Sequence, residues 1–365
     1  MSERKVRVGI IGCGGIAHGK HLPSLAKLPH VELVAFCDVV REKAAAAAEK
    51  YGVPGAGVHT DYRELLGNKS IEVVHVLTPN KSHSAISIAS LEAGKHVLCE
   101  KPMAKTASDA RRMLEAAQRT GKKLSIAYQH RHKPESVYLK KVIQRGDLGE
   151  VYFAKSYSVR RRGTPNWGVF LNEEEQGGGP LIDIGTHSLD LTLNLMDNYK
   201  PKMVVGTTFK KLPNPDCANP WGPWDVKQHT VEDSAFGFIV MDNGATIILE
   251  SSWALNTIEP IPEGSVVLCG TLAGAQIKNG LSINKDEFGQ LVEIKPEIKT
   301  GGVAFYDGKS ESPADREARR WIDAVVDGTE PEVKPEQALV VSEILDALYE
   351  SARTGRPVYF NQGRP

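Results

Sequence analysis

No stretch of this 365-residue chain is long and apolar enough to span a bilayer. The opening Met1-Ser2-Glu3-Arg4-Lys5 runs straight into a strand-like segment, without the apolar h-region of a signal peptide. Neither sign of charge dominates. Lys and Arg number 45, Asp and Glu 45, so the formal net charge is zero. A neutral chain with no basic run has little to offer nucleic acid or an anionic membrane, and neither partner is expected. Cysteine is scarce. The five (Cys13, Cys37, Cys99, Cys217, Cys269) are scattered, mostly within apolar runs, and none has C-x-x-C spacing. They read as reduced thiols, which makes a cytoplasmic setting the expectation. His130-x-His132 is the nearest thing to a ligand pair, with no cysteine or acid close by, so no metal site is expected. Internal repeats and low-complexity segments are missing as well. At 41% hydrophobic and 25% charged residues, the composition is that of a soluble globular enzyme, too long for one ordinary core.

What is present begins at the N-terminal end. Val6-Arg7-Val8-Gly9-Ile10-Ile11 is an apolar, β-branched run ending on the turn Gly12-Cys13-Gly14-Gly15-Ile16-Ala17. A helix-compatible segment follows. In this strand-turn-helix context G-x-G-x-x-G/A is a dinucleotide-binding signature. Gly12 permits the tight turn, Gly14 lets the backbone approach a pyrophosphate, and Ala17 allows close packing of helix on strand. The helix N-terminus offers N–H groups to the phosphates. Gly19 and Pro23 predict that this helix is short or kinked. A second apolar run, Val31 to Cys37, ends on Asp38, the acid that would hold an adenosine ribose. Asp38 would repel a 2′-phosphate, so NAD is expected over NADP, although Arg41 nearby could soften the preference.

Strand and helix alternate up to about Tyr128. Helices are predicted over Arg41–Tyr51, Ser82–Ala93 and, from the Thr106-x-x-Asp109 capping box, up to Gly121. Strands are predicted at Ile71–Leu77, His96–Cys99 and Leu124–Tyr128. This pattern builds a doubly wound parallel α/β sheet, whose ligands lie beyond the carboxyl ends of the strands. Thr78, Asn80, Glu100, Lys101 and Tyr128 all fall at those ends. From about residue 129 the pattern changes. A helix at Pro134–Arg145 and a strand at Val151–Val159 precede a helix from Pro180 to Met196. Two strands flank the hairpin signal Asp242-Asn243-Gly244, Val266–Cys269 is strand-like, and helices at Pro313–Val326 and Pro335–Arg353 close the chain. The expected organisation is a nucleotide domain over 1–128 and an α+β domain over 129–365 with a large, mostly antiparallel open sheet, whose C-terminal helices could pack back on the first domain. Pro213–Pro223, with Trp221 and Trp224 at its end, reads as a loop on the sheet rim.

Chemistry concentrates in Gly177-Gly178-Gly179-Pro180-Leu181-Ile182-Asp183-Ile184-Gly185-Thr186-His187. A helix starting at Pro180 puts Asp183 and His187 on one face at i, i+4, with Asp190 extending it. A carboxylate beside an imidazole supports a general base for a secondary alcohol. Lys101 could stabilise charge developing on a reacting oxygen. Trp167, then Trp221, could stack on the C–H face of a ring-shaped substrate, and Tyr128 and Arg131 read as pocket wall. Arg160-Arg161-Arg162 fits either a phosphorylated or acidic substrate or a charged strand edge. Glu173-Glu174-Glu175 reads as a solvated loop.

Through the glycine turn, Thr78-Pro79-Asn80-Lys81-Ser82-His83, Glu100-Lys101-Pro102 and the Asp183/His187 segment, the chain resembles the family of glucose–fructose oxidoreductase, inositol 2-dehydrogenase and the rhizopine-catabolism oxidoreductases. The likeness runs the length of the chain. It implies a Rossmann domain followed by a domain whose large open sheet mediates homo-oligomers, dimers or tetramers. It implies Lys101, Asp183 and His187 as the catalytic set, and a sugar or cyclic polyol as substrate. It implies NAD held by Gly12, Gly14, Gly15, Ile16, Ala17, Asp38, Thr78, Asn80, His83, Glu100 and Lys101. Arg160–Gly168 and the Trp221/Trp224 loop are most similar to members that oxidise glucosides at ring carbon 3. Two rival readings share these motifs: a glycoside-cleaving enzyme that keeps NAD bound and oxidises only transiently, and an NAD-binding sensor without turnover.

Overall fold

The computed structural model describes residues 4–212, 218–298 and 311–360. It divides into two compact units. One holds the described residues of Met1–Gln129 with Glu311–Leu339, the other those of His130–Ser310 with Val340–Pro365.

In the first unit six strands, β1 Val6–Ile11, β2 Val31–Cys37, β3 Gly57–His59, β4 Val73–Val76, β5 His96–Cys99 and β6 Leu124–Ile126, form one sheet in the order β3-β2-β1-β4-β5-β6. Every pairing is parallel. The strands are largely apolar because helices cover both faces of such a sheet. The strand order reverses between β1 and β4, and the crevice at that switch point is where ligands of these sheets bind. The first helix is broken as Gly19 and Pro23 predict: a π-turn, Ala17–His21, runs into Leu22–Leu25. The helix Ala107–Thr120 starts where expected, with the Thr106 hydroxyl accepting from the Asp109 N–H at 3.1 Å, and ends on Gly121 at φ +65°. β3 and the helix Tyr62–Leu66 carry no periodicity long enough to be foreseen.

The division departs from a single cut near residue 128. The helix Pro313–Val326 belongs with the first unit because Ala318, Trp321 and Ile322 complete the apolar cluster of Val8, Leu22, Leu25 and Leu33. Polar ties hold the same segment, with Ser125 Oγ donating to the Val333 carbonyl at 2.9 Å.

The second unit is built on a nine-stranded sheet. Its strands are β7 Val151–Val159, β8 Pro201–Phe209, β9 Ser234–Met241, β10 Thr246–Ser252, β11 Ile261–Gly270, β12 Ala273–Ile277, β13 Leu281–Glu287, β14 Gln290–Ile294 and β15 Val358–Tyr359, in the order β14-β13-β12-β11-β7-β10-β9-β8-β15. All pairs are antiparallel except β7 with β10. β9 and β10 form the expected hairpin, with Gly244 at φ +87° in the turn. Alternation along β10 sends Ile247, Leu249 and Ser251 to the covered face. The helix Thr186–Met196 and Leu348 of the helix Pro335–Thr354 lie there. Gly206 and Gly237 make room for Leu348, whose carbons would come within 2.5 Å of a Cβ at either position. No helix among the described residues is long and apolar enough to cross a membrane.

Candidate active site

In the first unit the glycine turn is shaped by two different demands. Gly12 sits at φ +94°, and a Cβ there would lie 2.6 Å from the Leu77 carbonyl, so the fold itself requires glycine. At Gly14 and Gly15 a Cβ would meet nothing within 4 Å. Packing does not require glycine at these two positions, and their bare backbone is left open to a ligand. Ile16 is exposed beside them, and Ala17 is fully buried against the sheet. Asp38, one residue past β2, is pinned at the same rim. Its Oδ2 accepts from the Cys13 N–H and its Oδ1 from the Val40 N–H, both at 2.9 Å. A pyrophosphate and an adenosine ribose fit this arrangement, and the acid disfavours a 2′-phosphate. Cys13 is no nucleophile here, because burial and then Asp38 push its thiol up to about 12.

Beyond β4 and β5 lie Thr78, Asn80 and Lys101. The Thr78 hydroxyl is buried without a hydrogen-bond partner among the described residues. Lys101 is half-buried and precedes a cis peptide to Pro102. Two expected cofactor contacts are committed elsewhere. His83 is fully buried, its ring nitrogens 2.8 Å from the Thr78 and Pro102 carbonyls, so it ties the two loops together. Burial keeps its pKa below the ordinary value despite those two carbonyls. Glu100 also turns inward. Its Oε1 accepts from Lys20 at 2.9 Å and pairs with His21 at 2.8 Å, and its Oε2 accepts from the backbone N–H of Lys101 at 3.0 Å. Lys20 also reaches Glu317 at 2.8 Å. Burial opposes the charge on Lys20, but Glu100 and Glu317 hold its pKa above the ordinary lysine value. Glu100 therefore shapes the backbone at Lys101 from behind. Lys20 and Glu317 carried no sequence signal, since they meet only after the chain has folded. Tyr128, expected to wall a pocket, is fully buried and offers no surface to a substrate.

In the second unit the segment after Pro180 does not begin as a regular α-helix. Leu181–Gly185 is a π-turn, and the α-helix starts at Thr186. Asp183 and His187 thus straddle a π/α junction, a distortion frequent at functional sites. Trp253 Nε1 donates to Asp183 Oδ2 at 3.0 Å, a contact invisible to i, i+4 reasoning. His187 is 5% exposed and stacks on His130, with ring centroids 4.8 Å apart and planes inclined by 29°. Asp190 does not extend this face toward a ligand. It is buried in a bidentate pair with Arg131, whose Nε and terminal nitrogen donate at 2.9 and 2.6 Å. Arg131 is correspondingly buried and committed, not a pocket wall.

The aromatic rim keeps its expected exposure. Trp167 is 49% and Trp221 42% exposed, edge to face at 4.9 Å, with Phe170 behind Trp167. Asn166 grips the Trp221 and Pro223 carbonyls. Trp224 is instead core, clustered with Ile184, Leu171, Val231 and Trp253. Of the three arginines, Arg160 lies over Trp221 and pairs with Glu263, and Arg162 donates to Asn256. Asn172 caps a single helical turn, Glu173–Gln176, whose first two glutamates are solvated. Cys217 and Pro213 lie outside the described residues.

A doubly wound sheet with this turn and acid defines an NAD-binding oxidoreductase fold. Residues 6–128 match the oxidoreductase family with an NAD-binding Rossmann fold, and residues 137–275 match the GFO/IDH/MocA C-terminal domain. The chain belongs to the GFO/IDH/MocA oxidoreductase family. It is 36% identical to D-glucoside 3-dehydrogenase of Escherichia coli (strain K12) over 98% of both chains. It is 40% identical to inositol 2-dehydrogenase of Salmonella typhimurium over 40% of this chain and 43% of the other. Among solved structures, levoglucosan dehydrogenase in complex with NADH and levoglucosan superposes with a TM-score of 0.82 over 98% of this chain and 100% of that one, at 22% identity.

Proposed function

We propose that this protein is an NAD-dependent dehydrogenase of a ring secondary alcohol in a sugar, glycoside or inositol, with glucoside oxidation at ring carbon 3 as its most specific form. One observation carries the reading: the likeness to D-glucoside 3-dehydrogenase spans essentially both whole chains, and Lys101, Asp183 and His187 are all present within it. NAD, when bound, accepts the hydride from the ring carbon. His187 takes the hydroxyl proton as general base. Asp183, steadied by Trp253, orients the base, and Lys101 stabilises negative charge on the oxygen. One C–H and one O–H bond break, a C=O bond forms, and the products are the keto sugar, NADH and a proton. Gly12, Gly14, Gly15, Ile16, Ala17 and Asp38 would hold the pyrophosphate and ribose, and Thr78 and Asn80 the nicotinamide end.

The test is a panel of glucosides, inositols and sugar phosphates, offered with NAD and with NADP, with NADH absorbance as readout. Net NADH from a glucoside is the expected result. Free aglycone without net NADH would replace this reading with elimination-type glycoside cleavage, and NAD binding with no turnover on any member would leave a sensor. On the best substrate of that panel, Trp167→Ala is expected to raise KM by roughly tenfold through loss of a stacking contact. An unchanged KM removes Trp167 from the substrate site.

The open face of the large sheet supports assembly. Register aligns Val205, Phe238, Ile248, Lys155 and Val267 in one cross-strand row, with Met203, Val240 and Phe153 in the next but for Thr246. A monomer seldom leaves so apolar a sheet face to water. We expect a homodimer or homotetramer by light scattering in solution; a monomer at micromolar concentration is the contrary result.

A further inference from the structure

The glycine run that precedes Asp183 stands at a helix N-terminus, where glycine-rich turns commonly receive an anion. Here the protein supplies the anion itself. Glu232 Oε2 accepts from the Gly179 N–H at 2.8 Å, and Oε1 from the Leu181 N–H at 3.2 Å and from the Tyr349 hydroxyl at 2.9 Å. We propose that Glu232 and Tyr349 form a latch on the Gly177–Gly179 turn, fixing where Asp183 and His187 stand and making Glu232 a positioning residue of the reaction.

The glycines fit this role one by one. Gly177 lies at φ +85°, closing the turn Glu173–Gln176. A Cβ on Gly178 would lie 1.9 Å from the Tyr349 Oη, and one on Gly179 2.1 Å from the Glu232 carbonyl. The run is glycine because two partners press on it, and no room is left for a phosphate. Three N–H groups at the start of the π-turn are thereby satisfied. Gly179 and Leu181 donate to Glu232, and Asp183 donates to the Gly179 carbonyl at 3.0 Å. Two further contacts fix the same segment against β10. Ser251 Oγ donates to the Pro180 carbonyl at 2.7 Å, and a Cβ on Gly185 would lie 2.9 Å from that Oγ. Burial raises Glu232 to about 7, against the Gly179 N–H and the Tyr349 hydroxyl, which favour its carboxylate. The latch therefore joins three distant parts of the second unit, the chain before β9, the helix Pro335–Thr354 and the catalytic turn, at one carboxylate. A carboxylate at this N-terminal end is also favoured by the helix dipole.

The inference rests on the assignment of Asp183 and His187 above, and the experiment separates the two. In the full-length protein Glu232→Gln keeps the volume, but its amide nitrogen cannot accept from a backbone N–H. Tyr349→Phe removes one hydroxyl and guards against a variant that fails to fold. Hydrogen exchange of the amides between residues 179 and 187 is expected to speed up roughly tenfold in Glu232→Gln and less in Tyr349→Phe, with the first unit unchanged. With the best substrate, kcat is expected to fall roughly tenfold in Glu232→Gln while KM and NAD affinity hold. The double variant is expected to fall no further, because the two groups act as one device. Unchanged exchange in folded Glu232→Gln overturns the latch whatever the enzyme does. Faster exchange with an unchanged kcat overturns its positioning role. If instead kcat falls in Glu232→Gln but not in His187→Ala, the latch stands and the catalytic assignment of His187 falls.

Discussion

His187→Ala is expected to lower kcat by roughly 10²-fold or more while leaving NAD affinity unchanged. The magnitude follows from the role. A general base held within reach of the hydroxyl is worth that factor, and alanine supplies no proton acceptor. Independence from NAD follows from the geometry within the first unit. The groups suited to the dinucleotide are the turn at Gly12, Gly14 and Gly15 and the carboxylate of Asp38, which is held by the Cys13 and Val40 N–H groups. None of them depends on the His187 side chain. The stack of His187 on His130 adds a structural share, because truncation removes one ring of that pair. Glutamine at 187 keeps much of the bulk, so His187→Gln separates packing from chemistry. Steady-state kinetics and calorimetric titration with NAD check the pair of variants. Equal losses of turnover and NAD binding would count against His187 as the base.

Asp190→Ala is expected to cost about 3–5 kcal/mol of stability, because it leaves the buried Arg131 guanidinium without its carboxylate. In a unit of this size that is a fall in Tm of roughly 10 °C. Burial raises the Asp190 carboxyl above its usual range even though Arg131 pulls it down, which reflects how much solvation the pair has given up. Replacing both residues by leucine is expected to recover most of the loss, since the expensive state is one unpaired charge and not the missing pair. Calorimetric unfolding of the two single variants and the double variant measures this directly. A small loss on removing Asp190, together with a raised KM in Arg131→Lys, would return Arg131 to the substrate site.

In the nucleotide half the parallel sheet and the glycine turn were legible. Its signal is local: an apolar run, a turn that tolerates only small residues, a second run and a terminal acid. Gly12 is required by its own φ and by the neighbouring Leu77 carbonyl, and Asp38 is placed by the end of β2. The kink at Gly19 and Pro23 and the hairpin at Gly244 were legible for the same reason. Legibility failed where buried groups choose partners. His83, Glu100, Tyr128 and Arg131 all stand at the right places along the chain for contact with a ligand. Each is instead enclosed or spent on a neighbour. The spacing after Pro180 predicts a regular helix, whereas Leu181–Gly185 is a π-turn in contact with Glu232, Ser251 and Trp253, partners that no spacing rule contains.

Read alone, then, the sequence determined the order of the elements, the parallel nucleotide sheet, the cofactor turn and the residue types available for proton and hydride chemistry. These depend on periodicity and backbone sterics, which act between residues a few positions apart. Only the tertiary structure decided that Glu317 would share Lys20 with Glu100, that Arg131 would be consumed by Asp190, and that Glu232 would fill the glycine turn. A charge removed from water must find its complement within about 3 Å. Which complement that is depends on how the packed layers bring distant segments together.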